Sequence, residues 1–147
     1  MKTVVTRAEL QAIVERYLEA WTKREPEDIA RFHSDEAVAE SPIYSTLRGR
    51  RAIQDAARAF YTSFPDATQQ IEQILIDPPN VAVFTTVNAT HVNEFFGLPG
   101  TGRRIEFRMA RLSRLNDEGL IVHERRIYDF TGLLVQIGVL RAKPAKP

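Results

Sequence analysis

Alternating apolar and polar positions are most regular in the second half of the chain, from Val81 to Phe130. A period of two is typical of strands that bury one face. Two loops rich in Gly, Pro, Asn and Asp interrupt the pattern, and these residues accept turn dihedrals at low cost. The pattern predicts a continuous antiparallel meander that would also hold any bound ligand, with strands at Val81–His91, Arg103–Leu115 and Gly119–Phe130.

The first half of the chain has the apolar spacing of helices instead. Thr6 and Glu9 form a capping box, in which each side chain accepts from the other residue's free N–H, and they start a helix predicted over Thr6–Trp21. Pro26, followed by acidic residues, suits the first turn of a short second helix. A third helix is predicted over Gly49–Phe64, where a proline follows and stops it.

Shorter segments join these elements. Strands are predicted over Ala37–Ser41 and Ala67–Asp77, a connecting loop over Ser45–Arg50, and a short helical or extended closing segment over Thr131–Leu140. Helices followed by strands favour an α+β fold, with N-terminal helices on one side of a curved antiparallel sheet. A strongly bent sheet of this kind leaves a cone-shaped hollow, which is a natural site for a small molecule.

Composition narrows the classes of function. A chain of 147 residues, of which 44% are hydrophobic, suits one domain, which we expect to span residues 1–147 with a frayed tail at 141–147. The net charge of +1 gives no electrostatic case for nucleic acid or a membrane surface as a partner. The lack of cysteine excludes disulfides and thiolate chemistry. The first residues lack an apolar signal core, which favours a cytoplasmic protein.

The three histidines lie far apart and lack the spacing of metal ligands, so no metal site is predicted. We expect His33 to be a surface residue at the end of the second helix. By strand parity His91 should face away from Asn88, and His123 should lie on the outer face of the sheet or at an interface. The sequence has no glycine-rich turn between a predicted strand and a predicted helix. It therefore gives no support to a site for nucleotide phosphates.

Two stretches, His91–Arg108 and Tyr128–Gly138, resemble the SnoaL-like polyketide cyclases, α+β cones of the nuclear transport factor 2-like superfamily. The resemblance extends from Val14 to Leu140. It implies a homodimer built through the outer sheet faces and a small-molecule pocket that needs no metal or organic cofactor. It also implies ring closure by intramolecular aldol chemistry, in which an aspartate of the last strand is the acid and the base.

The sequence departs from this family at the residues that carry the chemistry. Arg126 stands where the resemblance implies the catalytic aspartate, and Glu124 stands where it implies a companion histidine. Arginine does not titrate near neutral pH, but it can hold a carboxylate or an enolate-like oxygen. The limonene-type epoxide hydrolases, a second family with this cone, use an Asp-Arg-Asp set whose positions fall near Thr86, Asn88 and Arg126, so their acids are missing as well.

Strand parity groups the candidate site residues. The resemblance favours an inward face of the last strand with Glu124, Arg126 and Tyr128, and it leaves Asp129 on the other face as a structural cap. The corresponding inward residues of the strand Val81–His91 would be Phe84, Thr86, Asn88 and Thr90. The candidate catalytic residues are Glu40, Glu124 and Arg126, and the candidate ligand-binding residues are Asn88, Tyr128, Tyr44, Tyr17 and Trp21.

Two interpretations of this set remain open. A carboxylate in an apolar hollow can have a raised pKa and act as a base while Arg126 holds an anionic group. A buried arginine and glutamate can also simply pair with each other, because burying either one alone is costly. The apolar loop at Phe95, Phe96 and Leu98 is either a lid over the hollow or part of a dimer contact.

Several functions fit these observations. The first is an enzyme with cyclase or isomerase chemistry on a small, apolar, oxygenated molecule of polyketide or terpenoid type. The second is a non-catalytic protein that binds or carries such a molecule. An epoxide-hydrolase-like enzyme is a further alternative, and a dimeric interaction module with a filled hollow is the last.

Overall fold

The structure is a computed structural model, and it describes residues 5–141. It confirms the three N-terminal helices and the meander. Part of the predicted connecting loop, Ser45–Arg48, is a strand, and the closing segment includes most of the helix Phe130–Gln136. Residues 142–147 of the predicted frayed tail lie outside the described residues. The elements are α1 (Arg7–Thr22), α2 (Pro26–Arg31), β1 (His33–Ser41), β2 (Ser45–Arg48), α3 (Arg50–Ser63), β3 (Thr68–Asp77), β4 (Asn80–Thr90), β5 (Arg104–Leu115), β6 (Ile121–Tyr128) and α4 (Phe130–Gln136).

The predicted chemistry at two helix ends is present. Glu9 N donates to Thr6 Oγ1 over 3.2 Å, and Thr6 N donates to Glu9 Oε2 over 2.8 Å, which completes the capping box of α1. Asp129 precedes α4 and accepts a hydrogen bond of 2.8 Å from Gly132 N. This confirms Asp129 as a structural cap.

The six strands form one sheet in the order β2-β1-β6-β5-β4-β3. The pairs from β3 to β6 are antiparallel, as the meander predicted. β1 lies parallel to β6, with Ala39 opposite Glu124, so the sheet is mixed and not antiparallel throughout. A parallel pair needs a long crossover. The chain between β1 and β6 provides one, which includes α3 and the strands β3 to β5. The α+β class is confirmed.

One face of the sheet is covered by the helices. α1 buries Leu10, Val14 and Leu18 in a cluster that includes Val81 of β4 and Leu115 of β5. A second cluster lies between α3, the sheet and α4; its largest buried members include Phe64, Phe107, Leu133 and Ile137. Apolar side chains at helical and alternating spacing therefore meet on one face. No helix in this described range is long and apolar enough to cross a membrane.

The predicted inward face of β4 is wrong. The buried residues that face the helices are Val81, Val83, Thr85, Val87 and Ala89, whereas Phe84 is 38% exposed on the outer face. Asn88 lies on that outer face opposite Glu106 of β5. The β-branched residues at odd positions pack against the helices because burying them gains more than burying the polar residues between them.

The predicted positions of two further residues are also wrong. Glu40 is exposed on the outer face of the sheet, because β1 turns Ala37 and Ala39 toward α3 instead. His33 is fully buried at the start of β1, since the chain enters the sheet directly after α2. The position of His123 on the outer face is confirmed, and its Nε2 lies 2.8 Å from Glu40 Oε2.

Candidate functional site

A cavity lies between the inner face of the sheet and the helices α1 and α3. It offers about 60 Å³ to the centres of water-sized molecules, and roughly 10–15 Å³ of such space is enough for one water molecule. Its walls are mainly aliphatic and aromatic, with two arginines among them. The lining includes Trp21, Tyr44, Phe60, Tyr61, Val87, Phe107, Met109, Arg111, Arg126 and Tyr128.

The two central strands bring two arginines together. Alternation along β5 turns Phe107, Met109 and Arg111 inward, and alternation along β6 turns Arg126 inward. In the register of these strands, Arg111 lies directly opposite Arg126. Like charges directly opposite each other in a sheet repel, so this pair needs a negative partner.

Glu124 is that partner. Its side chain is fully buried, and its Oε1 accepts a hydrogen bond of 2.7 Å from Arg126 Nε. The Nε of Arg111 lies 3.4 Å from the same oxygen. The other oxygen, Oε2, accepts from Tyr17 Oη over 2.7 Å and from Ser113 Oγ over 3.1 Å. Both oxygens of Glu124 therefore have partners within the protein.

The surroundings keep Glu124 ionised. Burial alone would raise the pKa of its carboxyl, but Arg126 and Arg111 together hold that pKa well below its usual range. Burial alone would lower the pKa of Arg126, and Glu124 raises it above its usual value. A carboxylate that is charged and saturated with hydrogen bonds is a poor base, so its role is to neutralise and orient the arginines.

Trp21 forms a shared platform for both arginines. The guanidinium carbon of Arg111 lies 4.6 Å from the centre of the indole, and that of Arg126 lies 5.1 Å from it. Such stacking stabilises a cation that has lost water. Tyr17 packs edge-on against the indole, with ring centres 6.3 Å apart. α1 thus supplies the aromatic side of the cluster, because Tyr17 and Trp21 are one helical turn apart.

The two arginines keep donors that the protein does not use. Arg111 is 3% exposed and Arg126 is 7% exposed. The Nε and Nη1 atoms of Arg111 and the Nη2 atom of Arg126 are buried without a hydrogen-bond partner. Buried polar groups are nearly always paired, so an exception at a cavity wall is a reason to expect a ligand there.

Tyrosines supply the other polar groups of the cavity. Tyr128 Oη lies 2.8 Å from Ser41 Oγ and accepts a hydrogen bond of 3.2 Å from Ile43 N. Burial raises the pKa of Tyr128. Burial, followed by the neighbouring Tyr128, raises the pKa of Tyr44 to about 12. Both phenols are protonated at neutral pH and can donate to a ligand.

The apolar loop after β4 has two unlike phenylalanines. Phe95 is buried and packs against Phe64 and His91, with ring centres 5.1 Å and 6.3 Å away. Phe96 is 65% exposed, and its ring centre lies 5.8 Å from that of Tyr44. Tyr44 lines the cavity, so Phe96 lies next to its wall. A lid and a dimer contact both remain open as predictions for this loop.

The structure brings most of the predicted site residues together. Tyr17, Trp21, Glu124 and Arg126 form one buried cluster, and Tyr44 and Tyr128 line the same cavity. Glu40 and Asn88 are not part of it, because both face outward. Glu40 contacts His123 and lies 3.9 Å from Arg125 Nε.

Sequence reasoning missed Arg111 and His33. Arg111 was detectable, because it lies in phase with Phe107, Met109 and Leu115 on the apolar face of β5. His33 gave no such signal. Its Nε2 lies 3.8 Å from Glu124 Oε2, and only the folding of the chain brings these distant residues together. Residues 5–141 contain no group of three or more His, Asp or Glu side chains that could hold a metal ion.

Comparisons with known proteins identify a family and structures of similar fold. The model of the SnoaL-like polyketide cyclase family matches residues 11–137. AclR of Streptomyces galilaeus, a proposed hydroxylase, is 26% identical with a TM-score of 0.81, and the match covers 95% of this chain and 87% of AclR. IdmH of Streptomyces antibioticus, a proposed polyketide cyclase, is 27% identical with a TM-score of 0.74, over 88% of this chain and 99% of IdmH.

A more distant structure agrees in fold alone. A Catenulispora acidiphila protein with a ketosteroid isomerase-like fold is 17% identical with a TM-score of 0.72, and the match covers 86% of this chain and 92% of that protein. No curated protein sequence matches the chain.

Proposed function

We propose that this chain, which belongs to the SnoaL-like polyketide cyclase family, is an enzyme with cyclase or isomerase chemistry on a small, apolar, oxygenated molecule of polyketide type. The observation that carries the proposal is the pair of buried arginines at the wall of a mainly apolar cavity, with N–H groups that find no acceptor among residues 5–141. Charged donors fixed in a water-poor site stabilise an oxygen that gains negative charge during a reaction.

In this proposal, Arg126 and Arg111 hold an oxygen of the substrate. A carbonyl oxygen gains negative charge when a base takes a proton from the neighbouring carbon. The described lining offers no carboxylate or imidazole for this step, so a water molecule takes the proton and passes it to solvent, and the guanidinium N–H groups stabilise the enolate that forms. Glu124 is the counterion that fixes Arg126 in place. This differs from the aspartate chemistry that the resemblance implied, because position 126 supplies electrostatic stabilisation instead of a titrating acid.

Tyr128 and Tyr44 complete the proposed machinery. Tyr128 remains protonated, since burial raises its pKa, and its hydroxyl can donate a proton or a hydrogen bond to a substrate oxygen. Tyr44 lines the cavity and contacts Phe96, so it can position the ligand. Trp21 holds both guanidiniums and presents an aromatic surface to the ligand.

A non-catalytic carrier of such molecules is the second candidate. The observation in its favour is that the described lining of the cavity contains no aspartate, glutamate or histidine. Proton transfer between carbon and oxygen usually uses such a group. The same observation gives no support to an epoxide-hydrolase-like reaction, which the resemblance associates with two aspartates.

Hydrogen exchange in deuterium oxide separates the two candidates. α-Tetralone and 3-benzoylpropionate each carry slowly exchanging protons beside an aryl ketone, and proton NMR follows their loss. We expect the protein to accelerate exchange in at least one compound at neutral pD. Arg126→Met should reduce the acceleration about 100-fold, since one lost oxyanion donor typically costs that much.

Arg125→Met is the matched control, because Arg125 neighbours Arg126 on the same strand but is exposed on the outer face. It should exchange the ketones at the wild-type rate. Binding of a ketone without any acceleration of exchange would support the carrier and reject the enzyme. Equal acceleration by wild type and Arg126→Met would reject the assigned role of the arginine.

We also propose that the chain is a cytoplasmic homodimer built through the outer sheet face. Leu75, Phe84, Leu112 and Ile127 are 49%, 38%, 39% and 57% exposed on that face, and a contiguous exposed apolar patch often marks an interface. Sedimentation velocity should show a dimer for the wild type and a monomer for Ile127→Glu. A wild-type monomer would contradict the assembly.

A further inference from the structure

The arginine cluster has more positive than negative charge, and this limits what can bind. Arg111 and Arg126 carry two positive charges, and Glu124 carries the single negative charge in direct contact with them. The three side chains are at least nine-tenths buried. A buried charge without a counter-charge is costly, and hydrogen bonds from neutral groups repay only part of that cost.

Glu124 cannot compensate further. Its Oε1 accepts from Arg126 Nε and lies 3.4 Å from Arg111 Nε, and its Oε2 is shared by Tyr17 and Ser113, so both oxygens already face donors of the protein. The donors that remain without an acceptor among residues 5–141 are the Nη1 atom of Arg111 and the Nη2 atom of Arg126, since the Nε of Arg111 faces Glu124. Unused donors on two neighbouring planar groups match the two oxygens of a carboxylate, which accepts up to about four hydrogen bonds.

The rest of the cavity selects the body of the ligand. Phe107, Met109 and Val87 of the inner sheet face and Phe60 of α3 line it, and Trp21 lies beside both guanidiniums. Such walls favour an apolar group over a polar one. A charged head and an apolar body must therefore lie close together in the ligand.

We infer that the natural ligand is an organic monoanion, in which a carboxylate on an aromatic or similarly apolar body binds Arg111 and Arg126. The inference deepens the proposed function, on which it rests for the identity of the site. It adds that the negative charge is present in the ligand before any reaction. A neutral ligand would leave the excess positive charge buried in every complex, whereas a carboxylate balances it. The Nη2 of Arg126 has two N–H bonds, so it can serve both the carboxylate and the carbonyl oxygen of the proposed reaction.

Isothermal titration calorimetry on the full-length protein tests this with matched probes. Benzoate, phenylacetate and 2-naphthoate are each compared with their primary amides, which have nearly the same shape and no charge. We expect each carboxylate that binds to bind about tenfold more tightly than its amide or better, because hydrogen bonds to charged groups exceed neutral ones by about 1.4 kcal/mol or more. Fluorescence of Trp21, the only tryptophan of the chain, should change with the same affinity.

Variants identify the residues responsible. Arg111→Met leaves a one-to-one pair of Arg126 and Glu124, so it should remain folded and lose the preference for the carboxylate. Arg125→Met, on the outer face, should keep the full preference. Amides that bind as tightly as the acids, carboxylate binding that survives in Arg111→Met, or no binding of any carboxylate probe would overturn the inference.

The result is independent of the ketone exchange experiment. Benzoate and 2-naphthoate have no exchangeable carbon-bound proton, so their binding reports charge recognition alone. Carboxylate selectivity without ketone exchange would leave the anion site standing and reject the enzyme. Exchange of α-tetralone without carboxylate selectivity would support the enzyme and reject the anion site.

Discussion

Two clusters of similar composition lie on opposite faces of the sheet, and β6 contributes side chains to both. On the inner face, Glu124 lies 2.7 Å from Arg126 Nε and 3.4 Å from Arg111 Nε. On the outer face, Glu40 lies 2.8 Å from His123 Nε2 and 3.9 Å from Arg125 Nε. The distances are alike, but the inner glutamate is 0% exposed and the outer one is 48% exposed. Burial therefore decides which cluster can act on a ligand.

The physical difference is the solvent. Water screens the outer charges and can replace any lost partner, so such pairs contribute little. The inner charges have only each other, the aromatic rings and whatever enters the cavity. Loss of a partner at the inner cluster therefore has a large energetic consequence. For the same reason, the buried Arg111 N–H groups without an acceptor among residues 5–141 favour the binding of a ligand.

The largest effect should come from Glu124→Gln. It leaves two buried guanidiniums opposite each other without a counterion, so the free energy of unfolding should fall by about 3–5 kcal/mol. Urea unfolding at neutral pH measures this. Ser113→Ala, which removes one hydrogen bond to the same oxygen, is the control and should cost about 1 kcal/mol. A loss in Glu124→Gln as small as that of the control would contradict the electrostatic account.

Acid should erase the difference between the wild type and Glu124→Gln. Despite burial, the folded pKa of Glu124 is held well below the ordinary glutamate value of 4.5 by Arg126 and Arg111. Its contribution is therefore fully present above the unfolded pKa and is lost as the pH falls toward the folded one. Between the two values, the wild-type advantage should shrink by about 1.4 kcal/mol per pH unit. Urea unfolding of both proteins at pH values above and below 4.5 tests this. An advantage that shrank as the pH rose above the unfolded pKa would mean that the folded pKa is raised instead.

Arg111→Met should have a much smaller effect on stability. It removes the excess cation and leaves Arg126 and Glu124 paired, so the free energy of unfolding should stay within about 1 kcal/mol of the wild type. Thermal and urea unfolding measure it beside Glu124→Gln. If the free energy of unfolding fell nearly as far as in Glu124→Gln, Glu124 would need both arginines. The cluster would then have no excess positive charge for a ligand to balance.

The outer cluster should give the smallest effect. Glu40→Gln breaks the contact with His123 in a solvated position, so stability should change by less than about 1 kcal/mol. Ketone exchange should not change, because the side chain faces away from the cavity. A loss of exchange in this variant would return Glu40 to the role of catalytic residue that the sequence first suggested.

The success of sequence reasoning differed between the two faces. The order of elements, the capping box and the antiparallel meander followed from local spacing. The residues Glu124, Arg126 and Tyr128 were grouped correctly, since they share a parity on one strand. The parallel pairing of β1 with β6 could not be predicted, because strands so far apart along the chain leave no local signal of their pairing.

The wrong placements have one cause. The sequence predicts Glu40 and Asn88 on the inner face, but strand parity only separates two faces and does not say which one is buried. Choosing the other parity moves every side chain of the strand to the opposite side. Arg111 was overlooked for the related reason that a charged residue on an apolar face reads as an interruption until its partner is known. His33 was placed at the surface because the burial of a helix end depends on what the next strand packs against.

The sequence by itself determined the helices, the meander and the α+β class, because these depend on periodicity and turn chemistry within short stretches. The family resemblance rests on the particular residues of His91–Arg108 and Tyr128–Gly138. The tertiary structure decided which face of β4 and β1 is inward, that Arg111 lies opposite Arg126, and that Glu124 is shared between them. The reason is that register between strands and burial under α1 and α3 are set by the packing of residues distant in the chain. The charge balance of the cavity exists only after that packing has occurred.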